Sequence, residues 1–289
     1  MSHIQPEAAF LQAETRCGYE VTAQMKQVWA CQLDLLQELL RVCNKYNLRC
    51  FADSGTLIGA VRHGGYIPWD DDIDMAMFRE DYDKLLAVAP QEFRHPYFLQ
   101  TIYSDHHYTH RHAQLRNSET AAYTERSRHK KFNQGIFIDI FILDAVPDTP
   151  RLMVRHIRSV KWAKLRLKIV SKFINRLPEG LYQYLRNHVP ALSDKAQYAR
   201  YEQLMRSIPA EKTQLACLLC LRMNIRVKDK ACYDETAYLD FEYLKMPVPK
   251  GYDRLLTLDY GDYMTPVKAP TTHGTMQFDT QHSYRDLLK

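Results

Sequence analysis

Between residues 70 and 74 the chain sets four carboxylates in five positions, Asp70, Asp71, Asp72 and Asp74, directly before the apolar-leaning run Met75, Ala76, Met77 and Phe78. Carboxylates at this spacing repel one another and raise each other's pKa unless a cation sits among them. Read as a strand, the stretch puts Asp70, Asp72 and Asp74 on one face and turns Asp71 and Ile73 away. A divalent ion, Mg2+ or Mn2+, removes the conflict, and magnesium is commonly held by one or two carboxylates together with substrate phosphates. A solvated acidic turn is the plainer reading. It leaves unexplained the sparsely charged strand that emerges from the cluster, and the small-residue segment "DSGTLIGA" upstream.

In that segment Ser54 and Gly55 open a short helix after the strand-like "RCFAD". Backbone N–H groups at a helix start favour phosphate. Gly55 permits close approach and the Ser54 hydroxyl can bond a phosphate oxygen, although a tight strand-to-helix turn would use the same residues. Arg62 and His63 end the short helix beside the acidic turn as candidate phosphate contacts; a surface role suits His63 equally. A further carboxylate, Asp139, sits inside "GIFIDIFILDAV" (135–146). Burying a charge in such a strand is expensive unless it is paired or metal-bound. Asp139 is therefore the expected third metal ligand, with Asp144 as competitor and pairing with an Arg as the alternative. Arg116 offers a planar fork that could clamp a diphosphate or partner one of the aspartates. Trp69 lies beside the cluster, and it, Tyr260 and Tyr263 are aromatic candidates for a wall of the site, or plain core. "LDYGDYMTP" reads as a segment that closes over the site, and His273 is a minor site candidate.

The elements that must position these residues follow from periodicity. Met25, Val28, Leu35, Leu36, Leu39, Leu40 and Cys43 recur at helical spacing over 21–46. Strands are expected at 49–53, over "DIDMAMF", at 97–103, at 113–123 and, centrally, at 135–146. "REDYDKLLAVA" reads as a helix with acids in its first turn. The class is α+β, a mixed sheet flanked by helices, with the catalytic core at 20–150, a basic helical region at 151–240 and a C-terminal segment at 241–289 packing back on the core. Residues 151–176 contain nine Lys and Arg and no acid. Leu152, Ile157, Val160, Leu165, Ile169 and Phe173 mark an apolar stripe along them, and helix is expected to continue to about 226, including Cys217 and Cys220 as buried helix core. The tail after about 240 reads as less regular.

The net charge of +5 and the sequence pI near 8.7 suit anionic substrates or a membrane surface and are too mild to imply nucleic acid. Seven cysteines, an odd number, and the absence of a signal-like start imply reduced thiols and a cytoplasmic protein. The basic helix leaves room for peripheral contact with the inner face of a membrane, and equally for a solvated face packed on the domain.

The order of strand, Ser-Gly, helix, Asp-x-Asp strand and later carboxylate-bearing strand is the plan of the nucleotidyltransferase fold. "FADSGTLIGAVRHGGYIPWDDDIDMAMFREDYDKL", "NQGIFIDIFILDAVP" and "YDRLLTLDYGDYMTPV" resemble the blocks of the LicD family, the phosphocholine transferases related to fukutin and fukutin-related protein. The resemblance covers roughly residues 22–150 and 245–273. It implies metal-dependent transfer of a phospho-alcohol, phosphocholine foremost, from a CDP-linked donor to a glycan hydroxyl. Asp70, Asp72, Asp74 and Asp139 would hold the ion. Asp139 could also take the acceptor's proton, a role that metal binding weakens. Transfer of the nucleotide with release of pyrophosphate, or a membrane-surface module with a degenerate site, are the rival readings.

Overall fold

A computed structural model of the chain describes residues 3–288 except 106, 107, 109, 175, 179, 182, 183, 185–187, 190–192, 221–225 and 269–274. His273 lies outside the described residues. Two compact units are present: residues 1–142 with 231–289, and residues 143–230.

The first unit begins with a hairpin of β1 (Glu14–Arg16) and β2 (Tyr19–Val21). Thr22 caps α1 (Ala23–Tyr46), its hydroxyl accepting the Met25 N–H at 3.1 Å. Val28, Leu35, Leu36, Leu39 and Cys43 are buried as their spacing requires, while Met25 and Leu40 are partly buried against the core. Gln32 is buried among them at 1% exposure. Asn47, left-handed at φ 52°, ends the helix by turning its N–H onto the Asn44 and Cys43 carbonyls. Then follow β3 (Phe51–Ala52), α2 (Ser54–Arg62), β4 (Asp74–Phe78), α3 (Arg79–Glu92), β5 (Tyr97–Gln100), β6 (Ala113–Asn117), β7 (Ala121–Tyr123) and β8 (Ile136–Val146).

Two expected strands end early, each because side chains fold the backbone into a turn. Ser104 donates to the Leu99 carbonyl and accepts the Thr101 N–H, closing the chain after β5. The stretch 113–123 divides because Asn117 accepts the Glu119 N–H on its side chain and the Thr120 hydroxyl on its carbonyl. The sheet order in this unit is β3–β4–β8–β6–β5, with β3/β4, β5/β6 and β6/β8 antiparallel. Along β8 every residue except Phe137 is buried, the mark of a strand covered on both faces.

The second unit takes the end of β8, then α4 (Pro150–Ile174), α5 (Asp194–Met205), β9 (Leu215–Cys217) and β10 (Lys228–Asp229). The helix expected to run to 226 is interrupted: Cys217 closes β9, opposite Asp144 of β8. Cys217 and Cys220 are buried but not helical. A short apolar run such as "LACLLCL" has no period to separate strand from helix. The α4 stripe also divides. Val160 is buried and Ile157 half-buried, whereas Leu152, Leu165, Ile169 and Phe173 are exposed.

The tail is more regular than expected and belongs to the first unit. β11 (Thr236–Phe241) and β12 (Leu244–Pro249) form a hairpin that tolerates Pro247 and Pro249 because the sheet has only two strands. It is followed by α6 (Tyr252–Tyr260), β13 (Gln277–Asp279), which pairs with β7, and α7 (Tyr284–Leu287). Among the described residues no helix is long and apolar enough to cross a membrane.

Candidate metal centre

β4 begins only at Asp74, so residues 70–72 are not in strand geometry and alternation does not govern them. Asp71 therefore does not turn away. Its carboxylate joins those of Asp70 and Asp72, with ligand oxygens within 4.8 Å of one another. A second group, on the same criterion of 4.8 Å, is Asp72, Asp74 and Asp139. Asp72 is common to both. The loop owes its shape to α1: Trp29 Nε1 donates to the Asp70 carbonyl at 3.1 Å and Gln32 Nε2 to the Asp71 carbonyl at 2.7 Å. Tyr66 fixes the Gln32 amide by donating to its oxygen at 3.0 Å, and stacks on Trp29 with ring centres 4.4 Å apart. The Asp139 N–H on the Ile73 carbonyl, 2.8 Å, brings β8 beside the loop.

Small residues in α2 make this approach possible. A Cβ on Gly55 would stand 2.6 Å from Asp70 Oδ2, and one on Gly59 would stand 2.4 Å from the Gly65 carbonyl oxygen. Ser54, at φ 52°, takes a left-handed conformation that costs a non-glycine residue about 1–2 kcal/mol. Its hydroxyl donates to Asp53 Oδ2 at 3.0 Å. Thr56 Oγ1 accepts the Asp74 N–H at 2.8 Å, tying α2 to the start of β4.

Charge is distributed unevenly. Burial, and then repulsion from Asp72, push the Asp70 carboxyl up to about 8. Burial, with Asp72 and Asp139 nearby, also drives Asp74 upward. At Asp139 burial acts in the same sense but is overcome by His112 and by hydrogen bonds from His112 and Gln114, so this carboxyl lies below the usual range. His112 Nε2 is 3.0 Å and Gln114 Nε2 2.7 Å from Asp139 Oδ1. Both fall on Oδ1.

Gln114 lies opposite Asp139 in the β6/β8 register, and its amide is oriented from behind. Arg116 is buried, donating to the Gln114 oxygen, the Gln100 oxygen and, at 2.6 Å, the Gly135 carbonyl. An arginine only donates, so it meets the amide oxygen and turns the NH2 toward Asp139. The structure thus places Arg116 behind the carboxylates, reaching them through Gln114.

Arg62 and His63 are placed elsewhere. Arg62 donates to the Tyr263 carbonyl at 2.5 Å and to His63 Nε2 at 2.9 Å. Both residues line a cavity of about 710 Å³ with Arg16, Cys17, Glu242 and Tyr243. Trp69 packs edge-on against Tyr19 at 6.1 Å. Tyr263 is core, its hydroxyl on Asp253 at 2.5 Å. Tyr260, at the end of α6, does reach the site. The side chain is half exposed, but desolvation of its hydroxyl, then the Asp53 and Asp74 carboxylates, raise the phenol's pKa, and the hydroxyl pairs with the Ser54 side chain. Asp144 is buried in the second unit, in register with Cys217.

Sequence reasoning missed Trp29, Gln32, Tyr66, His112 and Gln114. A legible signal existed for one of them: Gln114 and Arg116 alternate with Ala113 and Leu115, a polar stripe of period two along β6, and His112 directly precedes it. Gln32 carried a weaker one, as an amide inside an apolar helical face.

Three carboxylates meeting from two neighbouring segments form a hard oxygen donor set that suits Mg2+ or Mn2+. Residues 47–174 match the LicD/FKTN/FKRP nucleotidyltransferase domain. The chain is 27% identical over 263 residues to the lipopolysaccharide cholinephosphotransferase LicD of Haemophilus influenzae, covering 87% of this chain and 94% of that protein. It is 40% identical over 55 residues to the human ribitol 5-phosphate transferase FKRP, covering 18% of this chain and 11% of that one. Residues 47–174, which contain Asp70, Asp72, Asp74 and Asp139, thus form a domain of the LicD/FKTN/FKRP type.

Proposed function

We propose that the chain transfers a phospho-alcohol, phosphocholine in the first instance, from a CDP-linked donor to a glycan hydroxyl, in the building of a cell-surface polysaccharide or lipopolysaccharide. One observation carries the reading: Asp72, Asp74 and Asp139 bring carboxylate oxygens within 4.8 Å of one another inside a LicD-type domain. The name of the Haemophilus relative supports the donor group and the acceptor class.

In this scheme the bond from the donor's outer phosphorus to the bridging oxygen breaks, CMP leaves, and the glycan oxygen bonds to phosphorus as its proton passes to a base. Mg2+ or Mn2+, when bound, would neutralise charge developing on the leaving diphosphate oxygen. Asp72, Asp74 and Asp139 would hold it, with Asp70 beside them. Ser54 and Gly55, at the opening of α2, would meet donor phosphate oxygens, and the protonated Tyr260 hydroxyl would add a donor next to Ser54. His112 and Gln114 would keep Asp139 ionised and aimed. Arg116 would act as a positioning residue, while Arg62, His63 and Trp69 shape the surroundings.

The test is an incubation with CDP-choline, a lipopolysaccharide acceptor and Mg2+. CMP release with choline on the glycan is expected, and Asp72→Asn, Asp74→Asn or Asp139→Asn should lower it by about a hundredfold or more while melting temperature is kept. Pyrophosphate from CTP, without CMP from any CDP-alcohol, would favour nucleotidyl transfer and sink the proposal.

A further inference from the structure

α4 presents to solvent the side chains that a water-facing helix ordinarily hides. Its inward face is already occupied by Val160 and Leu167, with His156 beside them, all buried. The opposite face carries Trp162 at 70% exposure, Leu165 at 45%, Ile169 at 59% and Phe173 at 65%. These follow one another by three, four and four residues, so they form a single stripe. Lys161 and Lys168 flank it on one side and Arg166 on the other, while Arg151, Arg155 and Arg158 continue it toward the helix start. No acid occurs from Pro150 to Ile174. Arg151, Arg155, Arg158 and Ser159 line a groove with Leu152 and Trp162, a setting suited to phosphate oxygens beside an apolar wall. The unit that contains α4, residues 143–230, has 18 Lys and Arg against 7 Asp and Glu, a net of +11; the rest of the chain has 21 against 27, a net of −6.

We propose that α4 docks the chain on an anionic lipid surface, with Trp162, Leu165, Ile169 and Phe173 entering the acyl boundary and the surrounding Arg and Lys meeting headgroup phosphates. An apolar stripe edged by cations and free of acid is the pattern of a helix that lies in a bilayer interface, with an indole suited to that depth. Cationic segments near an anionic leaflet gain attraction that salt screens. A second copy fits less well, because two such faces would set cation against cation. Nucleic acid fits less well too, because the centre of the stripe is apolar and its cations are peripheral. The inference is independent of which alcohol is transferred.

Flotation of the full chain with vesicles tests it. The chain should rise with vesicles of phosphatidylglycerol in phosphatidylcholine and remain below with phosphatidylcholine alone. Added salt should weaken the association. On binding, Trp162 emission should shift to the blue, a shift absent in Trp162→Tyr. The triple substitution Trp162→Ser, Ile169→Ser and Phe173→Ser should cut partition by about tenfold or more with the circular dichroism and melting temperature unchanged, since all three are exposed. Arg155→Glu with Arg158→Glu should do the same at low salt. Equal flotation of wild type and triple variant overturns the proposal, as does no flotation at all. Self-association of wild type in the absence of lipid, abolished by the triple substitution and accompanied by no vesicle binding, assigns the face to a second copy and overturns it as well. Phosphocholine transfer to a soluble acceptor, with release of CMP, should survive these substitutions, which separates failure of docking from failure of the proposed chemistry.

Discussion

Gln114 is a neutral amide between two charged groups, and its direction matters more than its size. Its oxygen is held by Arg116, which leaves the NH2 to donate to Asp139 at 2.7 Å. Gln114→Glu keeps the shape, gives Arg116 a carboxylate to bind, and so should spare the fold. It removes the donor to Asp139 and adds a like charge. Changes in residues that orient metal ligands commonly cost 10–100-fold in metal affinity. The Mg2+ concentration that half-raises the melting temperature should therefore increase by about that factor; an unchanged Mg2+ response would mean Gln114 does not set Asp139. The carboxylates themselves were legible in the sequence because their spacing is strange for any other purpose. Asp139 was expected beside Asp72 and Asp74; the company of Asp71 with Asp70 and Asp72 was not, because alternation was applied to residues 70–72, whose backbone is instead held by Trp29 and Gln32 from a distant helix. Arg116 was legible as important and misjudged in direction, since a sequence does not say which side of a strand faces a void.

At the scale of elements, the long helices and β8 followed from periodicity, whereas breaks within expected strands came from Ser, Thr and Asn side chains that compete locally for the backbone. Contacts between helix ends were beyond reach of any pattern. Glu92, closing α3, accepts from Lys45 at 2.6 Å, Tyr46 at 2.7 Å and Arg41 at 3.1 Å, all from the last turns of α1. The Lys45 and Tyr46 hydrogen bonds, helped by Arg41, pull its carboxyl from 4.5 to about 2. A carboxyl depressed on folding stabilises the native state above its unfolded pKa and loses that contribution as pH falls toward the folded one. Glu92→Gln should lower the urea midpoint near neutral pH. The gap from wild type should narrow as acid is added below about 4.5 and close near 2. A gap independent of pH would assign the loss to packing.

At the scale of the molecule, the mild overall charge of +5 was read from composition as a weak basic character. It is the small sum of two opposed parts, +11 in residues 143–230 and −6 in the remainder. Composition averages over a division that only the contacts define, because the first unit takes residues from both ends of the chain. The consequence is practical as well as physical. Near neutral pH the purified protein should be retained by sulfonate and by quaternary-amine resins alike at low ionic strength, and salt should elute it from both; passage through either would argue against a division this sharp. A single isoelectric point of 8.7 is then a poor guide to handling, since adsorption follows the local patch that touches the bead rather than the sum over the chain.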